Sequence, residues 1–352
     1  MKETFRDPAW VDLHVHSTCS ADGASSLIGH ARRAVDLPAL APLRPKGAQV
    51  QVCGLPPRMR PAQCAGTGYS AGIETCRPPF LAVTDASPRS RARRSVPSAP
   101  KQEGAGSPWG LAEIGFCEHA DFDPRDPGYG TLDLDRYYRE MAVARATLPA
   151  VRLRQGVEVT YQASHEPRIR TWLAGHPWDY VVVSVHLVDY ADGWALVSEP
   201  QSAATYFAAH SPRQAYIPYF EELLRAARSG LGDVLGHLDL VKRYGTSAYG
   251  PMKPVAFEDE IRAVLRAVVR AGMGLEINTS GLRQGPGEPY PGLTILRWFR
   301  DLGGELLTIG SDAHHVDHLG SGLAQALGLA RAAGFRAVTS FEARKPRSIL
   351  IS

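Results

Sequence analysis

Histidines and carboxylates of the kind that hold divalent metal ions recur along this 352-residue chain at the ends of short apolar runs. His14 and His16 stand two apart in WVDLHVH, His119 closes AEIGFCEH, Glu158 closes VRLRQGVE and His186 closes DYVVVSVH. His237 ends DVLGH, Glu276 lies in GLEIN, and Asp312 and His314 follow ELLTIG in the string SDAH. In an extended strand residues i and i+2 point to the same side, so His14 and His16 aim two imidazoles at one point, with Asp12 on the same face. A single such histidine is more often a satisfied core residue than a ligand. Six of them at the ends of apolar runs form a pattern. Imidazole and carboxylate without thiolate match zinc, manganese or iron in a reactive site rather than a structural zinc site. The donors outnumber what one ion coordinates, which implies a multinuclear centre.

The elements that must position these donors follow from periodicity. Strands are predicted at 10–16, 112–119, 151–158, 179–186, 233–237, 274–278 and 305–310. Helices are predicted between them at 24–36, 133–148, 167–175, 201–229, 255–271, 291–302 and 319–333, several amphipathic, as in FEDEIRAVLRAVVRAG. Strict alternation of strand and helix implies a parallel sheet, and seven such units over some 280 residues suit an α/β barrel, closed or nearly so. Functional residues then belong at the carboxyl ends of the strands, where the donors stand. The turn after the seventh strand would bring Asp312 and His314 back beside the first. His30, His176, His210, His315 and His318 have no strand-end placement and read as surface or supporting residues; His165 is left open.

One segment does not fit the alternation. Residues 38–109 hold 12 of the 27 prolines, three of the five cysteines, and 8 Arg and 2 Lys against Glu74, Asp85 and Glu103. Strings such as SPRSRARRSVPSAP carry neither helical nor strand periodicity. The segment is expected to be a mostly disordered insertion that splits the first βα unit, leaving 1–37 plus 110–352 as a single domain. It also carries the basic character of the chain. The formal net charge is +3, yet the residues outside 38–109 hold 29 basic and 33 acidic side chains, which disfavours a nucleic-acid partner. Five cysteines without CxxC spacing read as reduced thiols. No apolar run approaches the roughly 20 residues that span a bilayer, and MKETFRDPAW lacks the apolar core of a secretory signal, so a cytoplasmic protein with no membrane partner is expected. The sequence leaves the oligomeric state open.

In order and spacing, the donors resemble those of the polymerase and histidinol phosphatase (PHP) family of metal-dependent phosphoesterases, over essentially the whole chain outside 38–109. The resemblance implies a distorted (β/α)7 TIM-like barrel of the PHP type. It also implies three divalent ions, of zinc, manganese or iron. Carried over residue by residue, it gives the first ion His14, His16, Glu158 and Asp312; the second Glu158, bridging, with His186 and His237; and the third Asp22, His119 and His314. Glu158, Asp312 and Asp22 are the carboxylates it implies for catalysis. Within the family the chain is most similar to the histidinol-phosphate phosphatases, through GFCEHADFDP at 115–124, LEINTSGLR and EPYP within 275–291, and the terminal SFEARKPRSILI. The region 190–232 offers no comparable string.

That likeness implies a phosphomonoesterase of histidine biosynthesis, converting L-histidinol phosphate to L-histidinol and phosphate. A hydroxide bridging two ions, its parent water acidified by them, would attack phosphorus in line. Arg283, Lys242 and Arg243 are the candidates to bind the phosphate, because guanidinium and ammonium groups match its oxygens. Asp239 and Glu276 are candidates to hold ligand histidines or to cap loops. Two rivals remain. One keeps the metal centre but acts on nucleic-acid ends or nucleotides, as a PHP-type phosphodiesterase, exonuclease or nucleotide phosphatase. The other is a catalytically silent PHP interaction module.

Overall fold

The computed structural model describes residues 10–19, 22–23, 25–36 and 110–351. The insertion expected at 38–109 lies outside the described residues. Seven strands form one sheet: β1 (Trp10–Val15), β2 (Leu111–Asp121), β3 (Arg152–Thr160), β4 (Tyr180–Ser184), β7 (Val234–Leu235), β8 (Gly274–Asn278) and β9 (Leu307–Gly310). Neighbours in the sheet follow chain order, β1-β2-β3-β4-β7-β8-β9, and every pairing is parallel. The sheet curls until its edges meet just past the strand ends. There a parallel bridge joins Val15 to Ala313, the His16 amide donates to the Ala313 carbonyl at 3.0 Å, and the Asp312 amide donates to the His14 carbonyl at 2.7 Å. The result is the seven-stranded, nearly closed α/β barrel read from the alternation, each predicted strand lying within a few residues of an observed one.

The barrel is filled by alternation. On β4 the Tyr180 hydroxyl crosses the interior to donate to the Leu13 carbonyl at 2.8 Å, and Cys117, Tyr180, Val182 and Val234 pack there with Phe341. Phe341 comes from a C-terminal antiparallel hairpin, β10 (Ala337–Glu342) and β11 (Lys345–Leu350), which the helical and strand periodicities did not reveal. The larger core lies between the sheet and its helices: α1 (Leu27–Asp36), α2 (Leu134–Thr147), α3 (Glu166–Ala174), α5 (Pro212–Ser229), α7 (Glu258–Ala271), α8 (Leu293–Asp301) and α9 (Leu323–Ala332). Helix α7 illustrates why: Ile261, Val264, Leu265 and Val268 recur every three or four residues and are all buried, three acidic residues occupy its first turn, and Gly272 ends it at φ 67°.

Three differences from the sequence reading bear on the site. The helix predicted at 201–229 is two, α4 (Pro200–Ala209) and α5, because Ser211 caps α5 and Pro212 takes its first position, where no helix can run through. A short helix, α6 (Lys242–Tyr249), and a hairpin, β5 (Leu187–Tyr190) with β6 (Gly193–Leu196), lie between the barrel strands. Strand β7 has only two residues, so His237 stands on the turn beyond it.

Candidate metal centre

Every strand-end donor named from the sequence is brought to the carboxyl mouth of the barrel. Register begins the gathering: His119 of β2 pairs with Glu158 of β3, placing two donors side by side. Glu158 is completely buried and divides its carboxylate. Oε2 lies 3.2 Å from His14 Nε2, 3.5 Å from His16 Nε2 and 3.1 Å from His119 Nδ1, while Oε1 lies 2.8 Å from His237 Nε2 and 3.5 Å from His186 Nε2. Asp312 Oδ1 approaches His16 Nε2 at 3.4 Å and His14 Nε2 at 3.9 Å. A third group forms around Asp22 Oδ2, 2.7 Å from His314 Nε2 and 3.1 Å from His119 Nε2. The rings of His119 and His314 flank that of His16, each with centroids 4.2 Å away.

These contacts fit a set of cations better than a set of hydrogen bonds. His14 Nε2 and His16 Nε2 are 3.0 Å apart, and His186 Nε2 and His237 Nε2 3.4 Å apart. Paired imidazole nitrogens that also face a carboxylate oxygen compete for the same space. Donor atoms surrounding a zinc ion at 2.0–2.1 Å in tetrahedral array are themselves about 3.3 Å apart. The spacings within the cluster scatter around that value.

The electrostatics point the same way. Burial pushes the His14 imidazole down, but Glu276, then Glu158 and Asp312, together outweigh it and hold the ring well above the ordinary histidine range. His119 and His314 are likewise raised against burial, by Asp22 and Glu158 in the first case and by Asp22 and Asp312 in the second. Burial, then His119 and His314, push His16 down to about 3. Burial would raise the Glu158 carboxyl, yet His119, His14 and His186 keep it well below the usual carboxylate range. Without cations, then, the carboxylates favour the protonated form of His14, His119 and His314 as their counter-charge, and not that of His16.

Supporting groups fix the rings. Glu276 Oε1 sits 2.6 Å from His14 Nδ1, and Oε2 accepts the His237 amide at 2.9 Å, so one carboxylate steadies two donors and leaves His14 Nε2 facing the cluster. This approach requires Gly310: a Cβ there would stand 2.2 Å from the His14 Cβ and 2.7 Å from Glu276 Oε1. Thr160, missed in the sequence, lies two residues beyond Glu158 on the same strand face; its Oγ1 is 2.8 Å from His186 Nδ1. Asn278, also missed, is two residues beyond Glu276 and donates to Asp312 Oδ2 at 3.2 Å. The i, i+2 rule applied to each donor would have found both.

Other sequence candidates go elsewhere. Asp12 shares the strand face of His14 but accepts the amides of Ser311 at 2.8 Å and Gly320 at 3.0 Å, holding the closing turn. Asp239 does not reach a ligand histidine; it pairs at 2.8 Å with Lys242, whose buried ammonium also donates to Glu288 and the Pro289 carbonyl. That withdraws Lys242 from the phosphate. Arg283 likewise turns away, donating to the carbonyls of Ser311 and Asp312 at 2.8 and 3.2 Å. His30 is not at the surface: it is fully buried on α1, edge-on to Phe116.

A cavity of about 620 Å³ opens over the cluster. Asp22, His119, Glu158, His186, His237, Asp312 and His314 form its floor, and Arg243 and Tyr244 of α6 one wall. Asp121, Asp126 and Glu199, none of them named from the sequence as a site residue, also line it.

Comparison with known proteins gives consistent results. Residues 105–280 match the PHP domain family. A probable histidinol-phosphatase of Deinococcus radiodurans is 32% identical over 241 residues, covering 67% of this chain and 87% of that protein. A histidinol-phosphatase of Lactococcus lactis is 26% identical over 239 residues, covering 67% and 85%. The crystal structure of histidinol phosphate phosphatase from Lactococcus lactis, complexed with zinc, L-histidinol and phosphate, superposes with a TM-score of 0.65 at 21% identity, over 96% of this chain and 98% of that one.

Proposed function

The chain belongs to the PHP domain family, and we propose that within it this protein is a metal-dependent phosphomonoesterase that converts L-histidinol phosphate to L-histidinol and phosphate. The observation that carries the reading is the carboxylate of Glu158, buried and shared between two groups of imidazoles, with a third group adjoining at Asp22. His14, His16, Glu158 and Asp312 would hold one ion, Glu158 with His186 and His237 a second, and Asp22, His119 and His314 a third. Imidazole and carboxylate donors suit zinc, manganese and iron alike. Bound divalent ions supply Lewis-acid charge that neutralises a phosphate dianion, acidifies water and steadies a departing alkoxide.

The chain's own residues do the rest. Glu276 keeps His14 in the orientation that turns Nε2 inward, and Thr160 does the same for His186 through its Nδ1. Asn278 restrains Asp312 from behind. Arg243, the one arginine among the cavity's described lining residues, would take phosphate oxygens as the ester enters. The barrel walls keep bulk water from Glu158 and His16, so charges at the floor act in a poorly screened setting. A lining with one guanidinium among six carboxylates favours a small ester over a polyanionic nucleic acid.

The test is phosphate release from L-histidinol phosphate by the full chain reconstituted with zinc or manganese, beside Glu158→Gln and beside a single-stranded oligonucleotide as substrate. Native protein should release phosphate from the monoester, leave the oligonucleotide intact, and lose its activity in the variant. Cleavage of the oligonucleotide with an untouched monoester would overturn the reading.

A further inference from the structure

Of the six carboxylates that line the cavity, Asp22, Glu158 and Asp312 are turned towards the imidazoles. Asp126 and Glu199 are not, and Asp121 stands between the two sets, with His119, His186, Thr160 and Asp126 as its neighbours. Asp121 Oδ1 is buried and has no hydrogen-bond partner among the described residues. Asp126 accepts the Gly128 amide at 2.8 Å through Oδ1, and Glu199 caps α4 by accepting the Ser202 amide at 2.7 Å through Oε2, which leaves a second oxygen on each. Their two segments are braced against each other by Arg125. Its guanidinium grips Asp123 through Nε at 3.0 Å and Nη2 at 2.7 Å, reaches Asp189 of β5 with Nη1 at 2.5 Å, and lies 5.5 Å from the Trp194 ring of β6.

Carboxylates that line the cavity of a phosphatase without pairing with its imidazoles have a definite consequence. They repel any further negative charge on the alcohol half of an ester and attract positive charge there. Resting on the proposed function above, we infer that Asp126 and Glu199 are specificity-determining residues that select phosphate monoesters whose alcohol carries a cationic nitrogen, an ammonium or a protonated imidazole. The phosphate would go to Arg243 and the metal-holding residues, and the cationic end to Asp126 and Glu199.

The experiment is calorimetric titration of the metal-loaded full chain with L-histidinol and, separately, with inorganic phosphate, for native protein and the double variant Asp126→Asn, Glu199→Gln. Both substitutions keep the oxygen that accepts a backbone amide, so the loop and the α4 cap are retained. The Kd for L-histidinol should rise at least about tenfold, as loss of charge-assisted hydrogen bonds implies, while the Kd for phosphate moves less than about twofold. In parallel, KM for L-histidinol phosphate should rise with kcat held within about twofold, and KM for p-nitrophenyl phosphate, whose alcohol is neutral, should not rise. Unaltered L-histidinol binding in the variant, or equal weakening of both ligands, would overturn the selection. Native protein that binds L-histidinol yet releases no phosphate from its ester would instead overturn the proposed function, leaving the selection supported by the binding difference alone.

Discussion

Asp312 meets His14 twice: its amide donates to the His14 carbonyl at 2.7 Å, and its carboxylate oxygen lies 3.9 Å from His14 Nε2. One residue thus helps close the barrel and faces the cluster that the closure creates. It does so in the left-handed region, at φ 51°, a conformation that aspartate and asparagine tolerate better than most side chains. Asp312→Asn is therefore expected to preserve the backbone junction, changing unfolding free energy by less than about 1 kcal/mol, while phosphate release falls at least about a hundredfold, as mutation of groups at a metal site commonly causes. Denaturant unfolding and steady-state assay of the same preparation check both halves.

Glu276 reaches two donors at once, and its loss should be felt in metal affinity more than in folding. Glu276→Gln is expected to weaken zinc binding by about 10–100-fold, since the carboxylate partner sets the orientation and basicity of His14. Competition with a chromogenic chelator measures this. Unchanged affinity would mean that His14 is not held through Nδ1.

A raised imidazole keeps its proton to higher pH, and only the neutral ring can ligate. His14, His119 and His314 are all raised in the metal-free fold. Metal uptake should therefore expel protons, more of them at pH 6 than at pH 8, and affinity should strengthen as pH rises. Titrations in buffers of different ionisation enthalpy count the protons. An uptake at pH 6 that releases none would contradict the electrostatic account.

The two arginines should behave differently. Arg243→Ala, on the cavity wall, is expected to raise KM for phosphate esters and weaken inhibition by inorganic phosphate about tenfold with little change in stability. Arg283→Ala removes donors from the Ser311 and Asp312 carbonyls and should cost about 1–3 kcal/mol of folding stability. Thermal melts and product-inhibition assays on the pair separate the roles.

Deleting residues 38–109 should leave kcat and KM within about twofold. The segment joins the end of α1 to the start of β2, and Leu111 pairs with Trp10, the first residue of β1. Its attachment points thus lie at the amino end of the barrel, away from His14 and His16. A large loss of turnover in a deleted chain that retains native circular dichroism would refute this.

What the sequence determined by itself was the alternation and the donors. Period-two runs ending in histidine or glutamate are local patterns, and a parallel barrel places strand ends on one rim, so His14, His16, His119, Glu158, His186, His237, Asp312 and His314 were legible before any coordinates. Asp22 was legible only through family resemblance, since it stands on a turn that no period marks. The short α6 escaped because KRYGTSAY carries no apolar stripe, and the β5–β6 hairpin because each strand is only four residues long. Tertiary structure alone decided which charged groups of equal chemistry face the cavity. Lys242 is claimed by Glu288, 46 residues away, Arg283 by the Ser311 carbonyl, 28 residues away, and Asp12 by amides about 300 residues away, while Asp121, Asp126 and Glu199 are left to line the mouth. No local pattern encodes such assignments, because a side chain's partner is fixed by where distant segments pack rather than by its own neighbours in the chain.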